Sequence, residues 1–237
     1  MYPPSGFGYD RAITVFAPNG RLYQVEYSVE AVRRGTTAIG IRASDGVVLS
    51  VEKRVAPLQE PDSIEKIFVI DDHVGAAIAG LTADARVLID NARIEAQSYR
   101  LLYDEVIPIE LLTKRIGDIK QVYTQRAGVR PFGVSLLVAG VDDVPQLFMT
   151  DPSGAYWSYK AMAIGAGSNE ARELLEKQYS PKLTVDESIM LSLNILKQIM
   201  KKELSNEYVE IAICHLDDKK FKILSDDEKE PFIKKVG

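Results

Sequence analysis

Residues 9–41 read YDRAITVFAPNGRLYQVEYSVEAVRRGTTAIGI, and this stretch holds a turn, a helix with both ends marked and the opening of a strand. Pro18-Asn19-Gly20 is turn chemistry, because proline presets φ and Asn-Gly tolerates positive φ. Leu22, Val25, Val29 and Val32 then recur at three- and four-residue steps, which puts them on one face of a helix over about 21–34. Arg33 and Arg34 fall in its last turn, where cations meet the negative end of the helix dipole. Gly35 follows as a C-terminal stop. The period then switches to two, so Thr36-Thr37-Ala38-Ile39-Gly40-Ile41 predicts a strand. A cleaved signal peptide would show a basic start and an apolar run, and neither is present, so the segment is expected to be folded structure. Ahead of it, residues 1–8 (MYPPSGFG) are rich in glycine, proline and serine with no period, which predicts a mobile tail.

Working outward, strand patterns come in groups. Residues 36–42 and 46–55 flank the hairpin signal Ser44-Asp45-Gly46, and 66–71 and 74–79 flank Asp72-His73. From Thr82 the period turns helical, with Val87, Ile94 and Leu101 spaced by sevens, and a second helix is expected from about Ile109 to Gln125. Strands return at 132–141, 144–150, 155–159 and 161–165. Ser168 is expected to cap a third helix, and Thr184 with Glu187 forms a capping box for a fourth that turns Ile189, Leu193, Leu196 and Met200 inward. Strands 208–216 and 220–224 and a short charged helix end the chain. Grouped strands and grouped helices predict α+β rather than alternating α/β. Two antiparallel sheets face to face, with helices on both outer faces, would bury every apolar stripe, although periodicity alone leaves the layer order open. No linker composition divides the chain, so residues 1–237 read as a single domain.

Composition narrows the function. A chain of 237 residues can hide roughly 70% of its unfolded surface without covalent staples. One cysteine, Cys214, excludes an internal disulfide framework, and its alternating strand context reads as a small buried hydrophobe. A net charge of −5 supplies no global basic field for nucleic acid or anionic membrane. No apolar run approaches the ~18 residues that a membrane helix needs, and a cytoplasmic protein is expected. His73 and His215 lack cysteines or carboxylates at ligand spacing, so no metal is expected. Gly165-Ala166-Gly167-Ser168-Asn169-Glu170 follows a strand and opens a helix, but Glu170 replaces the third glycine of a dinucleotide loop. It reads as a strand-to-helix turn, and no cofactor is expected.

The stretch at 9–41 resembles the signature of proteasome α-type subunits, archaeal-type ones in particular. The likeness continues through Ser63-Ile64-Glu65-Lys66-Ile67, Gly80-Leu81-Thr82-Ala83-Asp84-Ala85-Arg86, Gly128-Val129-Arg130-Pro131-Phe132-Gly133-Val134-Ser135 and Ala163-Ile164-Gly165. It covers nearly the whole chain and is loosest at the two ends. It implies an αββα four-layer sandwich and a seven-membered α ring stacked on β subunits, with the helix near 21–34 packed between neighbours. Tails over residues 1–12, tethered by Tyr9, Asp10 and Arg11, would close an axial pore, with Pro18 and Tyr27 holding the turn behind them. A pocket of Glu26, Gly35, Lys66, Gly80 and Leu81 would take the C-terminal tail of a hexameric AAA ATPase activator. The chemistry suits that role, since an ammonium holds a terminal carboxylate by a charge-assisted hydrogen bond. Unfolded protein would be the substrate of the assembly.

Thr36 is the one candidate for catalysis. In catalytic β-type relatives a threonine at this strand start becomes the N-terminus after self-cleavage, and its free amine acts as the general base. Glu52 and Lys66 stand where an acid and a lysine tune that pair, but an internal Thr36 has only an amide nitrogen. The resemblance therefore implies a non-catalytic gating subunit. The rival is an active N-terminal-threonine peptidase with residues 1–35 as propeptide. A self-assembling ring with no protease partner is the third reading.

Overall fold

A computed structural model describes residues 14–236. After helix α1 (Tyr23–Arg34), the chain forms β1 (Ala38–Arg42), β2 (Gly46–Glu52), β3 (Ile67–Asp71) and β4 (Val74–Gly80), with a 3-10 turn at Pro61–Ser63. Helices α2 (Thr82–Tyr103) and α3 (Ile109–Gln125) follow, then β5 (Val134–Val141), β6 (Pro145–Thr150), β7 (Tyr156–Ser158) and β8 (Ala161–Ile164). Helices α4 (Ser168–Gln178) and α5 (Val185–Met200), strands β9 (Val209–His215) and β10 (Phe221–Ile223), and helix α6 (Asp226–Val236) complete it. The strands make two five-stranded antiparallel sheets, ordered β10-β9-β2-β1-β8 and β3-β4-β5-β6-β7.

The period-two pattern explains why the sheets stack. Along β2, Val47, Leu49 and Val51 join the layer between the sheets, where they meet Ala77, Ala79, Leu137 and Leu147. The alternate residue Val48 turns to the α4–α5 side with Ile39, Ile189 and Leu193. On the other sheet, Val74, Ala76 and Ile78 of β4 pack with Leu88, Ile89 and Leu112 of α2 and α3. Three buried layers thus separate four structural ones, and the αββα sandwich is the observed fold.

Local signals decide the details. Gly20 N–H donates to the Ala17 carbonyl at 2.8 Å, closing a turn in which the positive φ falls on Gly20. The Thr184–Glu187 capping box forms reciprocally at the start of α5. Ser168, expected as a cap, is instead the first helical residue of α4, and Gly167 occupies the cap position without a side-chain bond. The α1 stripe is also weaker than its spacing predicts. Val32 is buried and reaches the layer between the sheets, whereas Leu22, Val25 and Val29 are only half-buried. Val87, Ile94 and Leu101 lie on α2 as expected but face outward. Among the described residues, no helix is long and apolar enough to cross a membrane.

Candidate functional site

The junction of α1 and β1 sits at one end of the sandwich, where backbone packs on backbone. Gly35 has φ −68° and ψ 158°, an extended conformation, so it is not the left-handed stop its position predicts. Its glycine identity answers to proximity, because a Cβ there would overlap the backbone nitrogen of Gly80. Gly80 itself has φ +115°. On the other flank, a Cβ at Gly165 would overlap the Thr36 carbonyl oxygen, and Ala166 N–H donates to the Gly35 carbonyl at 2.9 Å. The GAGSNE segment is therefore the strand-to-helix turn expected from its sequence, and its first glycine makes room for Thr36.

Thr36 is 6% exposed, and its Oγ1 has no hydrogen-bond partner among the described residues. Its neighbour is fully engaged: Thr37 N–H donates to Glu52 Oε2 at 3.2 Å, and Thr37 Oγ1 accepts from Gly167 N–H at 3.1 Å. The other Glu52 oxygen accepts from Arg54 Nε at 3.0 Å. Glu52 thus ties a backbone amide to a guanidinium.

Lys66 lies one residue before β3, half-buried. Burial, then the nearby Arg54, push its ammonium below the ordinary lysine value, while Glu210 and Glu52 oppose the shift. Glu210 Oε2 accepts from both the Lys66 N–H at 3.1 Å and the Ile67 N–H at 2.9 Å. A β9 carboxylate of one sheet therefore fixes the start of the edge strand of the other.

A second group gathers beside Gly80. Leu81 and Tyr27, both about half exposed, line a hollow of about 190 Å³ with Ala31, Pro131 and Gly133. Its wall is held by Arg130, which donates to both Asp84 oxygens at 2.6 and 2.7 Å, while Gly133 N–H reaches Asp84 at 2.8 Å. Burial works against the Asp84 carboxylate, but Arg130 and the Gly133 amide outweigh it and hold its pKa below the usual value. This pair joins the sequence blocks at 80–86 and 128–135, two segments that sequence spacing leaves unconnected.

Of the residues singled out from sequence, Gly35 packs on Gly80, Leu81 continues from it and shares a hollow with Tyr27, and Lys66 stands with Glu52, Arg54 and Glu210. Glu26 is engaged by Arg21, whose hydrogen bond holds the glutamate below the usual carboxylate range. Pro18 is exposed in its turn. Tyr9, Asp10 and Arg11 lie outside the described residues. Asp84, Arg130 and Glu210 escaped sequence reasoning, because their partners are 46, 46 and 144 residues away and leave no local trace. Cys214 is buried, and burial with Asp218 pushes its thiol up to about 12, against any nucleophilic role.

Residues 32–214 match the family model described as proteasome subunit, and residues 9–31 match the N-terminal signature of A-type proteasome subunits. The proteasome alpha subunit of Methanocaldococcus jannaschii is 57% identical over 238 residues, covering 100% of this chain and 90% of that protein. Those of Archaeoglobus fulgidus and Thermococcus sibiricus are 55% and 54% identical, covering 97% and 96% of this chain and 94% and 87% of theirs. The signature ends within α1, and the family model begins there and runs into β9, through all four layers. The chain belongs to the proteasome subunit family and stands in its α-type branch.

Proposed function

We propose that this α-type subunit is non-catalytic and forms part of a seven-membered ring that gates the axial opening of a 20S proteasome. The observation that carries the reading is the state of Thr36. Its nitrogen is an amide between Gly35 and Thr36, which offers no basic lone pair to activate the hydroxyl. Its side chain is buried, with Oγ1 unpartnered among the described residues. The segment before it is a turn and a helix whose Val32 enters the core between the sheets. Discarding that segment would open the core, which argues against a propeptide. Glu52, the acid of a catalytic set, is committed to Thr37 N–H and Arg54.

In this reading, peptide bonds are cut on β-type partners. Tails over residues 1–12, with Tyr9, Asp10 and Arg11, occlude the pore, and the turn at Pro18 with Tyr27 behind it sets their position. An ATPase activator inserts C-terminal tails between neighbouring subunits, where Lys66 receives the terminal carboxylate and Leu81 an apolar side chain. Glu26, Gly35 and Gly80 form the rest of that pocket, and several tails on one ring gain through effective concentration. Docking biases the tails toward an open arrangement and admits unfolded protein.

The test is the intact mass of the chain after co-expression with a β-type partner. Retention of residues before Thr36, with peptidase activity unchanged in Thr36→Ala, is the expected result. A chain beginning at Thr36, with activity lost in that variant, would make this subunit the protease.

A further inference from the structure

Lys66 does not stand alone in its surroundings. Its backbone N–H and that of Ile67 both donate to one oxygen of Glu210, at 3.1 and 2.9 Å, so a single carboxylate grips the residue from which the ammonium projects. Glu210 sits in β9 opposite Val51 of β2, one residue from Glu52. It is therefore built into the sheet that does not carry Lys66. We infer that Glu210 is a positioning residue for the tail-docking lysine: it fixes the backbone of Lys66 and supplies the negative charge against which an incoming carboxylate must compete. This inference rests on the reading of Lys66 as the receptor of a tail's terminal carboxylate.

The physical consequence has a sign. While Glu210 is ionised, its charge attracts the Lys66 ammonium and repels a second carboxylate arriving there. Neutralising Glu210 removes both effects, and Oε2 keeps accepting the two backbone N–H groups because a protonated carboxyl retains acceptor capacity. Burial raises the Glu210 carboxyl above the ordinary glutamate value, against the two backbone hydrogen bonds and the nearby Lys53 and Lys229. Lys229 is held in place by the carbonyls of Asn206 and Val209, at 2.8 and 3.1 Å. Glu52 and Arg54 are the other charges that face Lys66. Mild acid therefore reaches Glu210 before an ordinary exposed glutamate, and tail docking tightens as pH falls.

The experiment uses the full chain assembled with its β-type partner. The probe is a short fluorescent peptide with an apolar side chain, no titrating side chain and a free C-terminal carboxylate, followed by anisotropy from pH 7.5 to 5.5. The probe's own carboxylate, with a pKa of about 3.5, stays ionised throughout. Wild type is expected to bind tighter at the acid end, in the direction that a Glu210 carboxyl raised by burial sets. Glu210→Gln, which keeps an acceptor oxygen, is expected to bind about two- to fivefold tighter than wild type at pH 7.5, the range a partly screened charge pair supplies, with a flat profile. An unchanged or weaker Glu210→Gln, or a flat wild-type profile, overturns the inference while Lys66→Ala still abolishes binding. If Lys66→Ala binds like wild type, or a C-terminally amidated probe binds equally well, the docking reading itself fails. The wild-type profile needs no variant to fold.

Discussion

Helices α5 and α2 both carry large apolar residues in line, and the fold sends them in opposite directions. On α5, Ile189, Leu193 and Leu196 are buried against the β1–β2 face, with Met200 partly covered. On α2, Val87, Ile94 and Leu101 are 49%, 65% and 87% exposed, while Ala85, Leu88, Ile89, Ala92 and Ala96 are buried on the β3–β4 side. The α5 residues step by four and three, which follows the 3.6-residue turn. The α2 residues step by sevens, which any single helix face satisfies with a slow drift, so the spacing does not say which face is inward. Leu88 and Ile89 fill the buried side of α2, with Ala85, Ala92 and Ala96 around them. One helix thus turns its large apolar line into the subunit's own core, whereas the other buries a second face and leaves an apolar line of about 21 Å, at 1.5 Å per residue, exposed.

The largest effect should come from the inward helix. Leu196→Ala leaves a void in a fully covered layer and is expected to lower stability by about 2–5 kcal/mol, read as the urea midpoint of the chain at fixed concentration. A shift below about 1 kcal/mol would mean that the α5 layer collapses onto the gap and that the two helical layers differ less than their burial implies.

Lys120 tests the inner side of the other layer. It projects from α3 with no exposed surface, donating from Nζ to the Val134 carbonyl at 3.0 Å and to Thr150 Oγ1 at 2.7 Å. Burial lowers its pKa from the ordinary 10.5 to about 7, only partly opposed by Asp151. Between those values the unfolded chain holds a proton that the folded chain has released. Stability contributed by this group therefore rises with pH from 7 to 10.5, by on the order of 4 kcal/mol, and is absent below pH 7. Lys120→Met removes that slope. The variant is expected to match or exceed wild type at pH 6 and to fall below it near pH 9.5, where Val134 and Thr150 lose their donor. Parallel pH–stability curves for the two proteins would refute a neutral buried lysine.

A smaller effect belongs to the cap of α5. Thr184→Ala removes the acceptor for Glu187 N–H and loosens the reciprocal bond that goes with it, at 3.3 and 2.9 Å. The expected loss is about 1 kcal/mol by urea denaturation, with Glu187→Ala adding little once the box is broken.

How much of this was legible follows from how far each signal reaches along the chain. The Thr184 box, the Pro18–Gly20 turn and the four-two-four-two-two grouping of elements are local, and they stand where the sequence places them. Gly35 was legible as a helix end but not in its cause, because its contact is with Gly80, 45 residues on. Asp84, Lys120 and Glu210 carry ordinary charges in the sequence, and only the fold shows that each meets a backbone group from a distant strand or turn. Thr36 was legible as a candidate through family likeness, yet the close approach of Gly165 to its carbonyl, 129 residues on, left no local trace.

The outward stripe gives the finest test of the comparison. Leu101 and Ile94 are largely exposed, so Ile94→Ser with Leu101→Ser should change stability by less than about 0.5 kcal/mol, read from the urea midpoint. Serine has nearly the helix propensity of isoleucine, although replacing leucine gives up a few tenths of a kcal/mol. If the stripe is covered by a β-type subunit, the pair should sharply reduce the share of chain recovered with that partner on native mass spectrometry. Truncating two large apolar groups at an interface core costs roughly 2–4 kcal/mol of association, enough to deplete the complex at micromolar concentration. Equal co-assembly of variant and wild type would make the stripe mere surface and leave α1, half-buried along Leu22, Val25 and Val29, as the apolar face open to partners. Loss of folding instead of assembly would show that the exposed line stabilises the chain itself, and the contrast with α5 would disappear.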